Sequence, residues 1–87
     1  MTTTTTSPMT LGEARVRKSF NPSNNDVVDQ IKTLAAELID LCNQRRETAS
    51  GRGIGSGEEQ RCWALAMTEF EDGAMWAVKA ATFEQMN

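Results

Sequence analysis

The residues best suited to ligand binding lie between positions 17 and 25, with Lys32 shortly after them. The basic pair Arg17-Lys18 can attract an anion, and Phe20 offers a face for a nucleobase, a stacking interaction of about 1–3 kcal/mol. The turn Asn21-Pro22-Ser23-Asn24 leads into a helix N-terminus, where free N–H groups and the helix dipole favour a phosphate. These residues predict a phosphate-and-base pocket. In the alternative interpretation, Phe20 only pins this segment to the domain, and the basic side chains stay in solvent.

A second candidate site lies later in the chain, where Arg61, Thr68 and Lys79 share one face of a predicted helix beside an apolar stripe. If the protein self-associates along that stripe, symmetry brings several copies of Arg61 together. Their mutual repulsion would then be relieved by an anion between them. The alternative is an exposed arginine that pairs with Glu58 or another nearby acid.

Residues that support catalysis or metal binding are scarce. The chain has no histidine and no tyrosine, and Cys42 and Cys62 cannot form a zinc site without further ligands. Adjacent acids such as Glu58 and Glu59 are typical of a solvated helix surface rather than of an acid–base pair. We therefore expect no enzymatic activity, no cofactor and no metal. Both cysteines are expected to be reduced and buried, with a disulfide between them as the alternative.

Composition restricts the class of partner. The net charge of −3 argues against a general nucleic-acid binder, while the segment 13–18 carries three basic residues against one acid and suits a small anion. No apolar run approaches the roughly 20 residues of a membrane span, and the first residues lack a signal-peptide pattern. Residues 1–10, with five consecutive threonines, predict a disordered tail. We expect a soluble protein without a membrane partner.

The apolar pattern predicts an all-α fold, an antiparallel two-helix hairpin with an extended N-terminal arm. The predicted segments of the 11–87 domain are an arm over 11–25, a helix over 26–47, a Gly-rich loop over 48–57 and a helix over 58–83. Ser56 and Glu59 have the spacing of a capping box at the start of the second helix. The loop lacks the Gly-Lys-Ser/Thr of a phosphate-binding loop, so we interpret it as a flexible connection.

Each helix has an apolar stripe at alternating steps of three and four residues. The first stripe comprises Val28, Ile31, Ala35, Leu38 and Cys42, and the second comprises Trp63, Met67, Phe70, Ala74, Ala77 and Ala81. Lys32 lies at the margin of the first stripe, where its stem can pack while its ammonium meets a ligand. Leu65, Trp76 and Phe83 form a further stripe on the second helix. One partner helix cannot cover both of its stripes, so we predict a homo-oligomer.

Several segments together resemble a known family. They are Leu11-Gly12, Arg15-Val16-Arg17-Lys18-Ser19-Phe20-Asn21-Pro22-Ser23, Val28-Asp29-Gln30-Ile31-Lys32, Ala36-Glu37-Leu38-Ile39-Asp40 and Ala74-Met75-Trp76-Ala77-Val78-Lys79-Ala80-Ala81-Thr82. Over residues 11–83 the chain resembles the helical-hairpin domain shared by phage anti-CBASS and anti-Thoeris cyclic-nucleotide sponges. The resemblance implies a homohexamer in the cytoplasm of the infected bacterial host. It also implies that the protein sequesters, without cleavage, cyclic dinucleotides and cyclic trinucleotides such as cyclic GMP-AMP and cyclic tri-AMP.

The resemblance implies two pockets. Lys32 matches a basic residue of the family's dinucleotide pocket, and Arg61 resembles the arginine that meets trinucleotide phosphates. We expect the dinucleotide pocket to comprise Arg17, Lys18, Phe20, Asn21, Ser23, Asn25 and Lys32. We expect the trinucleotide pocket to comprise Arg61, Ala64, Met67 and Thr68. The better-known sponges have Tyr-Arg-x-Leu-Ser in the arm, which this chain lacks; Phe20 can stack but offers no hydroxyl.

Two other hypotheses stay open. The protein could be an oligomeric helical protein-interaction module with no nucleotide ligand, docking through the further stripe of the second helix. It could also present an RNA- or DNA-binding arm on a helical oligomer, which would make binding strongly dependent on salt.

Overall fold

A computed structural model of the chain describes residues 8–84. They form three helices, α1 (Leu11–Val16), α2 (Asp26–Ala49) and α3 (Ser56–Ala81), and no strand occurs in this part of the chain. The prediction of an all-α fold is confirmed. Most of the predicted disordered tail, residues 1–7, lies outside the described residues. Thr10, which the prediction included in that tail, is the N-cap of α1.

The extended arm predicted over 11–25 is wrong in its first half, where α1 forms. The Thr10 hydroxyl accepts a hydrogen bond from the Glu13 N–H, and the Glu13 carboxylate accepts one from the Thr10 N–H, each at 3.1 Å. This capping box satisfies two backbone donors at the start of the helix. The alternating Arg15-Val16-Arg17 pattern suggested extended backbone, and the Thr10–Glu13 spacing was the signal that sequence analysis missed.

Gly12 allows α1 to approach α2 closely. The Gly12 N–H donates to Asp40 Oδ1 at 2.7 Å. A Cβ built on Gly12 would lie 2.1 Å from the Ala36 carbonyl oxygen, well inside van der Waals contact. Glycine at position 12 is therefore needed because of the backbone of α2, not because of its own dihedral angles.

The link between α1 and α2 contains two residues in the left-handed region. Arg17, at φ 54°, ends α1, and Asn24, at φ 57°, precedes α2. Asn25 then caps α2, because its side-chain oxygen accepts from the Val27 N–H at 2.8 Å. The Asn25 side-chain amide also donates to the Ala81 carbonyl at 3.2 Å, so the start of α2 lies beside the end of α3.

The core lies mainly between α2 and α3. Its buried members are Val16, Ala35, Ala36, Ile39, Cys42, Met67 and Ala74, with Trp63 and Phe70 packed against them. Leu38 was predicted to lie on the buried stripe but is 43% exposed, and Ile39 is fully buried instead. The buried stripe of α2 thus comprises Val28, Lys32, Ala35, Ile39 and Cys42. It differs from the predicted stripe at two positions, where Lys32 and Ile39 replace their preceding neighbours.

The connection between α2 and α3 is shorter than predicted. Helix α2 continues to Ala49, which is buried, and α3 begins at Ser56 and ends at Ala81 rather than at position 83. The capping box predicted for Ser56 and Glu59 is absent: Gly55, at φ 90°, is the N-cap, and it gives no side-chain hydrogen bond. The Glu59 carboxylate is engaged instead by Arg52 at 2.6 Å and by the Trp63 indole N–H at 3.0 Å.

Several large apolar side chains remain uncovered on the outside of the single chain. The further stripe predicted for the second helix, comprising Leu65, Trp76 and Phe83, is exposed, and Phe83 lies just beyond the end of α3. Helix α2 has a second uncovered stripe that comprises Val27, Leu34, Leu38 and Leu41. None of the described helices combines the length and the apolar character needed to cross a membrane.

The cysteines differ in environment. Both are free thiols, so the alternative of a disulfide is wrong. Cys42 is buried as expected, and burial raises the pKa of its thiol above the ordinary value of 9.0. The expectation that Cys62 is buried is wrong, because this side chain lies on the exposed side of α3 beside Arg61.

Candidate functional site

Lys32 occupies an unusual position for a charged residue, on the buried face of α2. Its side chain is 7% exposed. The ammonium donates hydrogen bonds to the carbonyl oxygens of Arg17, at 2.9 Å, and of Phe20. These two bonds satisfy part of the hydrogen-bonding need of a buried cation and hold the α1–α2 link against α2.

The surroundings of Lys32 disfavour its charge. Burial lowers the pKa of this lysine below the ordinary value of 10.5, and the positive charge of Arg17 lowers it further, while Asp29 opposes the change. The folded protein therefore disfavours the charged form of Lys32, chiefly because the side chain is buried and secondarily because Arg17 is near. An anion near the ammonium would reverse this effect.

Phe20 lies between the basic residues of the site. The guanidinium carbon of Arg17 is 4.5 Å from the centroid of the Phe20 ring, and the Lys32 ammonium is 5.5 Å from it. Both distances are within the range of a cation–π interaction. The Phe20 side chain is nevertheless 53% exposed, so it retains surface on which a base can stack.

Two cavities flank Lys32, and both are lined by Lys32, Val78 and Thr82. The first, here called the basic cavity, measures about 530 Å³. It is lined by Arg15, Val16, Arg17, Lys32, Glu71, Ala74, Met75, Val78, Lys79 and Thr82. The second, here called the turn cavity, measures about 510 Å³. It is lined by Phe20, Asn21, Pro22, Ser23, Val28, Lys32, Val78 and Thr82.

Hydrogen bonds made by the side chains of Asn21 and Ser23 shape the turn cavity. The Asn21 amide donates to the Asn25 carbonyl at 2.9 Å and to Asp29 Oδ1 at 3.0 Å. The Ser23 hydroxyl donates to the Asn21 amide oxygen at 2.6 Å. These bonds bring polar groups of the turn next to Phe20 before any ligand arrives.

The predicted dinucleotide pocket is therefore brought together in part. Arg17, Phe20, Asn21, Ser23 and Lys32 line one or both cavities. Two other predicted members do not line either cavity. Lys18 points to Glu13, with 4.0 Å between its ammonium and the carboxylate, and the side chain of Asn25 caps α2.

Three residues of the basic cavity, Arg15, Glu71 and Lys79, were not among those predicted for the dinucleotide pocket, although Arg15 belongs to the basic segment 13–18. Arg15 Nε donates to Glu71 Oε1 at 2.7 Å, which ties α1 to α3. Lys79 was grouped with Arg61, but the structure places it in the basic cavity with Arg17 and Lys32. The predicted hairpin could have indicated this position of Lys79. In a hairpin, residues near the start of the first helix lie close to residues near the end of the second.

The four residues predicted for the trinucleotide pocket line neither the basic cavity nor the turn cavity. Arg61 is exposed and pairs with Glu58 at 3.0 Å, as the alternative interpretation predicted. The Thr68 hydroxyl donates to the Ala64 carbonyl at 3.3 Å. Met67 is 2% exposed and belongs to the core, so it can offer a ligand almost no surface.

The groups around Lys32 are suited to binding a ligand that carries both a phosphate and a base. The cations among them can attract phosphate, and the Phe20 ring and Asn21 amide can contact a base. Across residues 8–84, no group of three or more histidine, cysteine or acidic side chains is placed to hold a metal ion.

Comparison with known proteins gives one match. The family model described as "Acb2/Tad1, hairpin domain" matches residues 12–82, which is most of the chain. No curated protein and no solved structure matches.

Proposed function

The chain belongs to the Acb2/Tad1 hairpin-domain family, which is known for binding cyclic nucleotide signals, and from this premise we propose that it sequesters such signals without cleaving them. The resemblance to the sponge family noted in the sequence is thereby confirmed. The proposed ligands are cyclic dinucleotides and cyclic trinucleotides, such as cyclic GMP-AMP and cyclic tri-AMP. The proposed setting is the cytoplasm of a phage-infected bacterium, where the protein would oppose an immune system that signals through these molecules.

The observation that carries this proposal is the buried Lys32 between two cavities. On one side lie further cations, and on the other lie an exposed aromatic ring and a turn rich in amides. A nucleotide requires both a partner for its phosphate and a surface for its base. The two cavities supply them within reach of one lysine ammonium.

Sequestration requires tight binding and no chemistry on the ligand. The family is a binding domain and is not a known enzyme family. With no histidine in the chain, the commonest general base is missing. We propose that the ligand is held intact and is released unchanged when the protein unfolds.

We further propose that antiparallel hairpins assemble into a homohexamer. The exposed stripes on α2 and α3 support this, because an isolated chain leaves Leu34, Trp76 and other large side chains in water. The trinucleotide pocket would then form between subunits, with Arg61, Ala64 and Thr68 contributed by each. Met67 would support that pocket from the core without touching the ligand.

The same exposed stripes favour a second candidate function. An oligomeric helical protein-interaction module would use them to bind another protein and would need no nucleotide. The two functions are separated by what accompanies the purified protein. A stoichiometric protein partner together with no cyclic-nucleotide affinity would favour the module.

The test is calorimetric titration with cyclic GMP-AMP and with cyclic tri-AMP, followed by heat release and identification of the ligand. We expect binding and full recovery of intact nucleotide. Arg61→Gln should weaken the binding of cyclic tri-AMP and leave the binding of cyclic GMP-AMP unchanged. Arg45→Gln is the matched control, because it also removes an exposed arginine. Lys32→Gln should weaken the binding of cyclic GMP-AMP. Binding of neither nucleotide would refute the proposed function, and recovery of cleaved nucleotide would refute sequestration without chemistry.

A further inference from the structure

The basic cavity carries more positive charge than its own residues neutralise. Four cationic side chains line it, and Glu71 is the acid among its lining residues. Glu71 pairs with Arg15 at 2.7 Å. The other salt bridges found between residues 8 and 84 are Lys18–Glu13, Arg52–Glu59 and Arg61–Glu58. None of them engages Arg17, Lys32 or Lys79.

These three cations come from three different parts of the fold. Arg17 ends α1, Lys32 lies on α2, and Lys79 lies in the last turns of α3. The packing that brings the start of α2 beside the end of α3 is what places Lys79 opposite the α1–α2 link. Positive charge from three elements in one cavity indicates a binding site for an anion.

The apolar part of the cavity wall strengthens this electrostatic effect. Val16, Ala74, Met75 and Val78 line the cavity together with the cations. Charges beside apolar surface interact more strongly than charges in bulk water. The cavity volume of about 530 Å³ is within the usual range for small-molecule sites, so a nucleotide unit can enter it.

We propose that Lys79, together with Arg17, binds a phosphodiester group of a cyclic dinucleotide in the basic cavity. This inference rests on the proposed function and adds to it a ligand-contacting residue from α3. The phosphate lies on the Arg17–Lys79 side of Lys32, and the attached base lies in the turn cavity against Phe20. Lys79 thereby selects for ligands that carry a phosphodiester, because a nucleoside offers it no charge.

Trp76 limits the freedom of Lys79. The Lys79 ammonium is 5.1 Å from the centroid of the Trp76 ring, a cation–π distance within one turn of the same helix. A lysine already restrained in this way loses less conformational freedom when it binds a phosphate.

Lys18 provides a matched control. It was predicted to belong to the dinucleotide pocket, but its ammonium faces Glu13 and it lines neither cavity. Replacing Lys18 or Lys79 by glutamine changes the net charge by the same amount. Long-range attraction of an anion should therefore change similarly, and the difference between the two variants reports the local contact.

The experiment is titration of the full chain with cyclic GMP-AMP at low and at physiological salt. Lys79→Gln should bind cyclic GMP-AMP more weakly by about tenfold or more, because it loses a hydrogen bond between charged groups. Lys18→Gln should weaken binding less than about twofold at physiological salt, because exposed charges are screened there. Lys79→Arg should stay within about threefold of the unmodified chain, because it keeps the charge. Circular dichroism melting of each variant verifies that it is folded.

The outcomes separate the two proposals. If the unmodified chain does not bind cyclic GMP-AMP, dinucleotide binding is refuted, and this inference with it. If the unmodified chain binds but Lys79→Gln and Lys18→Gln weaken binding equally, the proposed function stands and the role of Lys79 is overturned. Equal loss in Lys79→Gln and Lys79→Arg would also overturn it, because charge alone would then not explain the effect.

Discussion

The contact between Gly12 and α2 gives the sharpest prediction about the architecture of the site. Gly12→Ala places a methyl group 2.1 Å from the Ala36 carbonyl oxygen and 2.8 Å from Asp40 Oδ1. Neither neighbour can move away easily, because Ala36 O belongs to the backbone of α2 and Asp40 accepts the Gly12 N–H at 2.7 Å. We expect α1 to separate from α2 in this variant.

Three terms determine the magnitude. Overpacking at a close contact costs about 1–3 kcal/mol. The lost hydrogen bond to the Asp40 carboxylate costs about 1.5–3 kcal/mol. Alanine regains up to about 1 kcal/mol in helix propensity. The docking of α1 should therefore weaken by about 1.5–6 kcal/mol, which corresponds to at least about a tenfold change in its equilibrium.

Amide hydrogen exchange measures this change directly. The protection of the α1 amides, such as those of Ala14 and Arg17, should fall about tenfold or more, while the centre of α2 keeps its own protection. Gly57→Ala is the matched control, because a Cβ at Gly57 meets nothing within 4 Å. The reasoning is wrong if Gly12→Ala leaves α1 as well protected as Gly57→Ala does. Cyclic GMP-AMP affinity should fall with the loss of protection, because Arg17 moves with α1.

Four further predictions follow from single residues. Gly73→Ala should raise the melting temperature, since a Cβ there meets no atom within 4 Å and glycine destabilises a helix by about 0.5–1 kcal/mol; a lower melting temperature would indicate a contact between subunits. Met67→Ala should lower the free energy of unfolding by about 2–5 kcal/mol in urea titration, and a loss below about 1 kcal/mol would contradict its place in the core. A thiol reagent should label Cys62 at once and the buried Cys42, whose pKa is raised, only on unfolding, so Cys62→Ser should remove the fast phase; rapid labelling of both would contradict this. Because the pKa of Lys32 is lowered in the folded chain, the unfolded chain binds more protons at this residue just below 10.5. Lys32 therefore contributes an increase of the free energy of unfolding with pH there, opposite in sign to the contribution of Cys42, and Lys32→Met should make the slope less positive; an unchanged slope in the variant would refute the assignment.

Local patterns predicted the long helices well. The steps of three and four residues in α2 and α3 repeat over many turns, so they predict both the helices and the burial of Met67 and Ala74. They do not determine rotation to within one residue. Leu38 and Ile39 are both large and apolar, and the packing of α1 and α3 decides that Ile39 is the buried one.

Features that depend on distant contacts could not be predicted in the same way. Helix α1 has six residues, too few for a periodic pattern, and it packs through a glycine against a carbonyl of α2. The burial of Lys32 depends on carbonyl oxygens that lie 12 and 15 residues earlier in the chain. The position of Lys18 beside Glu13, away from the residues that line the two cavities, could not be predicted either, because it depends on the helical course of α1.

The arginine at position 17 lowers the stability of the fold but contributes a cation for ligand binding. Its φ of 54° lies where a side chain other than glycine costs about 1–2 kcal/mol, although Asn24 tolerates the same region more readily. Glycine at position 17 would relieve that cost and at the same time remove a cation from the basic cavity. In a library selected for heat resistance alone, we expect position 17 to drift towards glycine. In a library selected for holding a cyclic nucleotide, we expect arginine to persist, so the residue recovered at this position would record which pressure had acted.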